Sequence, residues 1–225
     1  MKAAFFRGLA DSFSIAVGYI PVAISFGLAA IYAGMPPFMA VLTSLLVYAG
    51  ASQFILASLI AGGTSAAGVV GIVLLMNLRH LFYGPALLAK LEGARRRLPA
   101  IALAAGLTDE VFAASVSKLG RQPADQREPW YAGLQLGAYL SWVGGTALGA
   151  YFGHDWIQDA PVVSQTLGFV LPALFFALLL EIRKLVRKRV LAAAAIAALL
   201  ALTALPAYAA IVLGMLAGAF VAWRV

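Results

Sequence analysis

Two short stretches hold most of the chemistry available to this chain. In MNLRHLFYG, residues 76–84, Asn77, Arg79 and His80 stand within four positions of one another, and in LTDEVFAASVS, residues 107–117, Asp109 and Glu110 are adjacent. Apolar residues flank both stretches. In such surroundings a guanidinium and a carboxylate can form an ion pair, or the carboxyl can stay protonated and exchange its proton with solvent. The first outcome is architecture and the second is a coupling site. Read as one helix, residues 76–84 place Asn77, His80 and Gly84 on one face and Arg79 with Tyr83 on another. An arginine near the centre of a membrane helix costs about 2.5–3.5 kcal/mol, so Arg79 is expected to face the interior and find Asp109 or Glu110. A lone histidine among apolar residues reads first as a hydrogen-bonded core residue, and His80 is the weaker candidate for proton handling.

The elements that must position these groups follow from composition. Of 225 residues 63% are hydrophobic and 11% charged, with a mean hydropathy of +0.94. Soluble domains run at roughly 45–50% apolar and 25% charged, so the chain reads as an integral membrane protein. Apolar stretches recur throughout, leaving no soluble domain; residues 1–225 are expected to form a single membrane domain. The first apolar stretch contains Pro21 and leads into more apolar sequence, which argues against a cleaved signal peptide. With no cysteine and two histidines (His80 and His154), neither a thiolate site nor a metal centre is expected, and no cofactor. The net charge of +7 comes from Lys and Arg at the ends of apolar stretches, which signals topology and not nucleic-acid binding.

The expected fold is all-α: a polytopic transmembrane helical bundle with about eight apolar segments, seven or eight of them spans, and Gly/Pro-interrupted helices. The segments lie at residues 13–34, 37–61, 66–89, 99–117, 130–152, 163–180, 190–205 and 207–223. With eight spans and the N-terminus inside, the basic stretches at 118–127 and 183–189 fall in the cytoplasm and the HDWIQD loop, 154–159, outside. Lys90 with Arg95, Arg96 and Arg97 then fall outside, against the rule. The alternative makes residues 99–117 a re-entrant hairpin with both basic loops on one side and the N-terminus outside; the first arrangement is preferred.

Gly133, Gly137, Ser141, Gly145 and Gly149 recur every four residues, and Gly214, Gly218 and Ala222 repeat the device. Such faces let helices approach closely, either within the chain or against a separate membrane subunit. Gly18–Pro21 and Gly168–Pro172 interrupt the first and sixth segments, and interrupted helices in matching positions point to a transporter's binding site. The second segment offers Ser44, Tyr48 and Ser52 at four-residue spacing, with Gln53 beside them.

The stretches PPFMAVLTSLLVYAGASQFILASLIAGG (36–63), NLRHLFYGPAL (77–87) and LTDEVFA (107–113), after the opening FRGLADSFSIAVGYIPVAISFGLAA, resemble the AzlC-type branched-chain amino-acid permease family. The likeness is dense over residues 6–118 and thinner beyond. It implies an inner-membrane, multi-pass exporter of branched-chain amino acids, in some members methionine, working with a small AzlD-type membrane subunit. A zwitterionic substrate needs donors for its carboxylate, for which Arg79 or amides freed around Gly18 and Pro21 would serve. It also needs acceptors for its ammonium, for which Asp109 or Glu110 would serve. Asn77, His80, Gln53, Ser52 and Tyr48 complete the candidate set. Proton antiport through Asp109 or Glu110 is the simplest drive, since no GxxxxGK[ST] motif is present. No GxSxG or HExxH motif supports an intramembrane enzyme. The alternative is a channel, or a structural membrane subunit without a transport site of its own.

Overall fold

The computed structural model describes residues 2–78, 80–91, 98–158, 187–205 and 207–224, and these are helical throughout with no strand among them. Helix α1 (Lys2–Asp11) leads into α2 (Phe13–Tyr32), which among the described residues is the one helix both long and apolar enough to cross a bilayer by itself. Then come α3 (Pro37–Leu46), α4 (Gly50–Ala61), α5 (Ala66–Asn77), α6 (His80–Lys90), α7 (Ala100–Ala105) and α8 (Asp109–Lys118). The 35-residue α9 (Ala124–Gln158) follows, and α10 (Lys188–Leu202) packs against α11 (Ala207–Arg224).

Helix α9 serves as a ruler, because α1, α3, α4, α6 and α7 each hydrogen-bond to it at a definite height. At its start, Arg127 Nη1 donates to the Lys90 carbonyl (3.3 Å), and the Leu98 N–H donates to Glu128 Oε1 (3.0 Å). One turn on, Trp130 Nε1 donates to Asp11 Oδ2 (2.8 Å), while Lys118 Nζ pairs with Asp11 Oδ1 (2.8 Å). The ends of α1, α6 and α8 and the approach to α7 therefore share one end of the molecule, which carries Lys90, Lys118 and Arg127. Residues 99–117 enter and leave at that end. They form a hairpin, α7 up and α8 back, whose tip at residues 106–108 reaches the height of Gln135.

The second apolar segment does the same from the opposite end. Met35 before α3, Ala40 within it and Ala57 in α4 pack in one cluster with Phe26, Ala30 and Ala150. Deeper along the pair, Ser44 Oγ meets Thr146 Oγ1 (2.7 Å), Tyr139 OH donates to the Leu45 carbonyl (2.8 Å), and Trp142 Nε1 donates to Gln53 Oε1 (2.7 Å). Helices α3 and α4 are thus a second hairpin, with its tip at residues 47–49. At 1.5 Å per residue, no helix of either hairpin exceeds roughly 18 Å, little more than half of a roughly 30 Å hydrocarbon core. The two tips meet beside the middle of α9. Between the hairpins, α5 and α6 together run from one end to the other, with a break between Asn77 and His80.

Local sequence explains the hairpins. Pro37 begins α3 and Pro99 caps α7, each with backbone angles preset for a helix start. Thr108 caps α8, accepting the Val111 N–H at its hydroxyl. The expected spans at 37–61 and 99–117 are corrected: neither crosses from one end of α9 to the other. The eight-span arrangement gives way to a hairpin at 99–117, while the second hairpin keeps the N-terminal helix at the same end as Lys90 and Lys118.

Two further expectations change, and of the two readings of the glycine stripe the intrachain one holds. Helix α2 runs unbroken through Gly18 and Pro21, with Ser25 Oγ bonded back to the Pro21 carbonyl (2.9 Å), so no amides are freed there. The expected loop at 154–159 is helical as far as Gln158. The glycine stripe of α9 is packing within the chain: a Cβ at Gly133 would collide with the Phe5 carbonyl of α1, and one at Gly149 with the Ile24 carbonyl of α2. The Gly168–Pro172 interruption and Arg79 lie outside the described residues.

Candidate functional site

The tips at residues 47–49 and 106–108 and the end of α5 at Asn77 converge, and Ser52, Asn77, His80, Tyr83, Asp109 and Glu110 gather there. Asp109 and Glu110 occupy the first turn of α8, where the positive end of the helix dipole favours their charge. They point to different partners. Tyr83 of α6 donates to Asp109 Oδ1 (2.5 Å), and Tyr19 of α2 donates to Glu110 Oε2 (2.5 Å). The Tyr19 oxygen also lies 2.6 Å from Thr108 Oγ1. Since an ionised carboxylate only accepts, the single Tyr19 proton goes to Glu110, and Thr108 donates to Tyr19. A directed chain results, from Thr108 through Tyr19 to Glu110.

Sequence-predicted residues join this cluster from the other tip and from the end of α5. Ser52, in the first turn of α4, donates to Asn77 Oδ1 at the end of α5 (2.9 Å), tying one hairpin tip to the broken crossing helix. His80 opens α6 with Nδ1 3.1 Å from the Asn77 carbonyl and its ring edge-on to Tyr83. Tyr83 in turn stacks on Phe112 of α8, centroids 4.5 Å apart. Asn77 and His80 therefore face each other across a break and do not share a helix face as the spacing alone suggested.

Gln53 has a different role from the one expected. It is fully buried, and both ends of its amide are used. Trp142 Nε1 can only donate, which fixes the Gln53 oxygen toward it and leaves Nε2 to donate to Ser44 Oγ (2.9 Å). Ser44 passes the link to Thr146. This hub clamps α3 and α4 to α9 and holds one tip in place. Gly18 and Pro21 contribute no polar group, although their neighbour Tyr19 is central.

Tyr48 is the exceptional residue. Among the described residues it is the one non-glycine with positive φ (40°), a conformation costing a bulky side chain on the order of 1–3 kcal/mol. It is 5% exposed, and its hydroxyl is buried without a hydrogen-bond partner among the described residues. An unmade bond of that kind costs about 1–3 kcal/mol more. Its ring lies edge-on to Tyr139, 4.9 Å between centroids, and it lines a cavity of about 470 Å³ between α7, α9 and the end of α3.

Sequence reasoning missed a ladder on α9. Tyr131 OH (2.8 Å) and Gln135 Nε2 (2.7 Å) both donate to the Leu103 carbonyl at the end of α7, as Tyr139 does to Leu45 at the end of α3. These are carbonyls that a helix terminus leaves without an intrahelical partner. The signal was the four-residue spacing of Tyr131, Gln135 and Tyr139. Among the described residues no group of His, Asp and Glu could hold a metal ion.

Comparison with known proteins draws on the same region. The family model described as AzlC protein matches residues 14–157, which contain α2 to nearly the end of α9 and all three breaks. The chain is 38% identical over 221 residues to "Inner membrane protein YgaZ" of Escherichia coli (strain K12), covering 98% of this chain and 90% of that protein. It is 45% identical over 180 residues to an "Uncharacterized membrane protein" of Archaeoglobus fulgidus, covering 80% and 76%. To "Branched-chain amino acid transport protein AzlC" of Bacillus subtilis (strain 168) it is 28% identical over 180 residues, covering 80% and 68%. No solved structure matches the chain. The hairpins, their meeting tips and the paired carboxylates all lie within the matched span, and the chain belongs to the AzlC family of membrane proteins.

Proposed function

We propose that this chain is a single-domain, multi-pass permease of the inner membrane that exports branched-chain amino acids, valine, isoleucine and leucine, with methionine as a further substrate. One observation carries the reading: two hairpins enter from opposite ends and meet at a cluster in which Asp109 and Glu110 are each held by a tyrosine. Irregular backbone at membrane depth is tolerated where it lines a cavity, and broken helices meeting midway are how secondary transporters build a substrate site. The transport named for the relative from Bacillus subtilis supports the substrate class.

In this reading the substrate ammonium is held by Asp109, and its carboxylate by the amides of the first turn of α4, which take the place of those expected at Gly18 and Pro21. Glu110 exchanges the coupling proton. Arg79, Asn77, His80 and Ser52 support the cluster. The end carrying Lys90, Lys118 and Arg127 faces the cytoplasm, which removes the exception to the positive-inside pattern. A small AzlD-type membrane subunit is the partner, docking on a face other than the glycine stripe of α9, which α1 and α2 occupy.

The test is efflux of preloaded valine, isoleucine and methionine from cells carrying this chain with and without a small partner subunit, at two external pH values. Saturable, pH-sensitive efflux is the expected result. Absence of efflux of all three in both configurations, with insertion confirmed, overturns it.

A further inference from the structure

The hairpins and the helices that precede them form two units of one design. Helix α2 crosses from the end where Asp11 pairs with Lys118, and the hairpin of α3 and α4 then enters from the opposite end. Helices α5 and α6 cross back, with the Lys90 carbonyl held by Arg127 at the first end, and the hairpin of α7 and α8 enters there. Residues 13–61 and 66–118 therefore present the same order of elements in opposite orientations. Transporters built from inverted repeats place their sites at the interface between the two units. Two correspondences in sequence follow the fold. Tyr19 and Pro21 lie inside α2, as Tyr83 and Pro85 lie inside α6. Ser52 and Gln53 stand in the first turn of α4, as Asp109 and Glu110 stand in the first turn of α8.

Both tyrosines reach the same tip. Tyr19 donates to Glu110 Oε2 and Tyr83 to Asp109 Oδ1, so two crossing helices of opposite direction hold adjacent carboxyls. Their surroundings differ. Tyr19 is 3% exposed and stands edge-on to Trp142, 5.1 Å between centroids, which seals its side of the tip. Tyr83 and Asp109 are only half-buried. The Tyr83 ring lies flat on Phe112 and edge-on to His80, and these contacts aim its hydroxyl. A phenol is a neutral donor: it orients a carboxylate without cancelling the charge that an ammonium needs, and it uses one of about four acceptor positions.

We propose that Tyr83 is a positioning residue, the counterpart of Tyr19 in an inverted repeat, which orients Asp109 toward the substrate's ammonium while Tyr19 serves the proton-exchanging Glu110. This inference rests on the transport reading and names the residue that gives its ammonium site a geometry. The sealed arm carries the proton group and the half-open arm the substrate group. No covalent step is involved.

The experiment is uptake of isoleucine into liposomes by the purified wild type, Tyr83→Phe, Asp109→Glu and the variant carrying both changes, with half-saturation concentration and maximal rate measured separately. Tyr83→Phe keeps the ring against Phe112 and His80 and removes the hydroxyl alone. Its half-saturation concentration is expected to rise about fivefold, the worth of one hydrogen bond, with the maximal rate falling by less. Asp109→Glu keeps the charge but displaces the carboxyl by one methylene, and it should raise the half-saturation concentration by itself. Adding Tyr83→Phe should then change little, since both changes act on one interaction. An unchanged half-saturation concentration in Tyr83→Phe, a loss confined to its maximal rate, or effects of the two changes that multiply overturns the inference and leaves the transport reading standing. A wild type that moves no isoleucine overturns the transport reading, and this inference with it.

Discussion

The Tyr19 hydroxyl lies 2.5 Å from Glu110 Oε2 and 2.6 Å from Thr108 Oγ1, joining the crossing helix α2 to the tip of the hairpin formed by α7 and α8. Removing the hydroxyl deprives Glu110 of one donor and Thr108 of its acceptor. Tyr19→Phe is expected to lower gradient-driven transport about fivefold, the worth of one hydrogen bond, while the protein still inserts. Gradient-driven uptake into liposomes checks this, and an unchanged rate would separate Tyr19 from the coupling group.

Gln53 is expected to matter for folding and not for transport chemistry. Gln53→Leu strands the Trp142 N–H in the interior, and stability should fall by about 1–3 kcal/mol. Thermal unfolding in detergent measures it. Trp142→Phe in the same background should recover part of the loss, because the two deletions share one interaction.

Gly149→Leu drives a side chain into the Ile24 carbonyl and should separate α9 from α2. Overpacking of this kind costs typically about 1–3 kcal/mol, and more where backbone must yield. Lower yield and earlier unfolding are expected, whereas Gly144→Leu, at a position with nothing within 4 Å, should be tolerated.

Asp11 supplies a pH dependence outside the membrane interior. Burial opposes its charge, but the hydrogen bonds from Lys118 and Trp130, with the Lys118 charge, outweigh it and hold the carboxyl below its ordinary 3.8. A lowered folded-state pKa means that the stabilisation is complete above the unfolded value and is lost as the pH falls through the folded one. Asp11→Asn should therefore unfold earlier than the wild type at about pH 7, and the difference should close as the pH falls through and below the ordinary carboxylate range, as followed by thermal unfolding in detergent.

Much of this was legible in the residues. Composition gave a membrane protein, and the four-residue glycine spacing marked the face of α9 that α1 and α2 cover. Asp109 and Glu110 stood out because carboxylates inside apolar sequence need a reason. The hairpins were harder, because two half-length helices joined by a three-residue tip have the same length and hydropathy as one crossing. The proline in α2 drew attention to a helix that stays whole, while two of the three true breaks contain glycine or its neighbour and none contains proline. Thr108 followed by Asp109 and Glu110 is a helix-start pattern in mid-segment, and it was the one local sign of the tip between α7 and α8. Tyr19 and Tyr83 were hidden because they meet the acids only through tertiary packing.

The most direct measurement uses purified protein in liposomes, comparing exchange of isoleucine at equal concentration on both sides with net transport driven by a pH gradient, for the wild type and Glu110→Gln. A proton carried by Glu110 predicts that exchange survives in the variant while gradient-driven transport is lost, by about a hundredfold on the scale of a positioned proton-transfer group. Equal gradient-driven transport by both proteins, with the same pH dependence, would contradict the account.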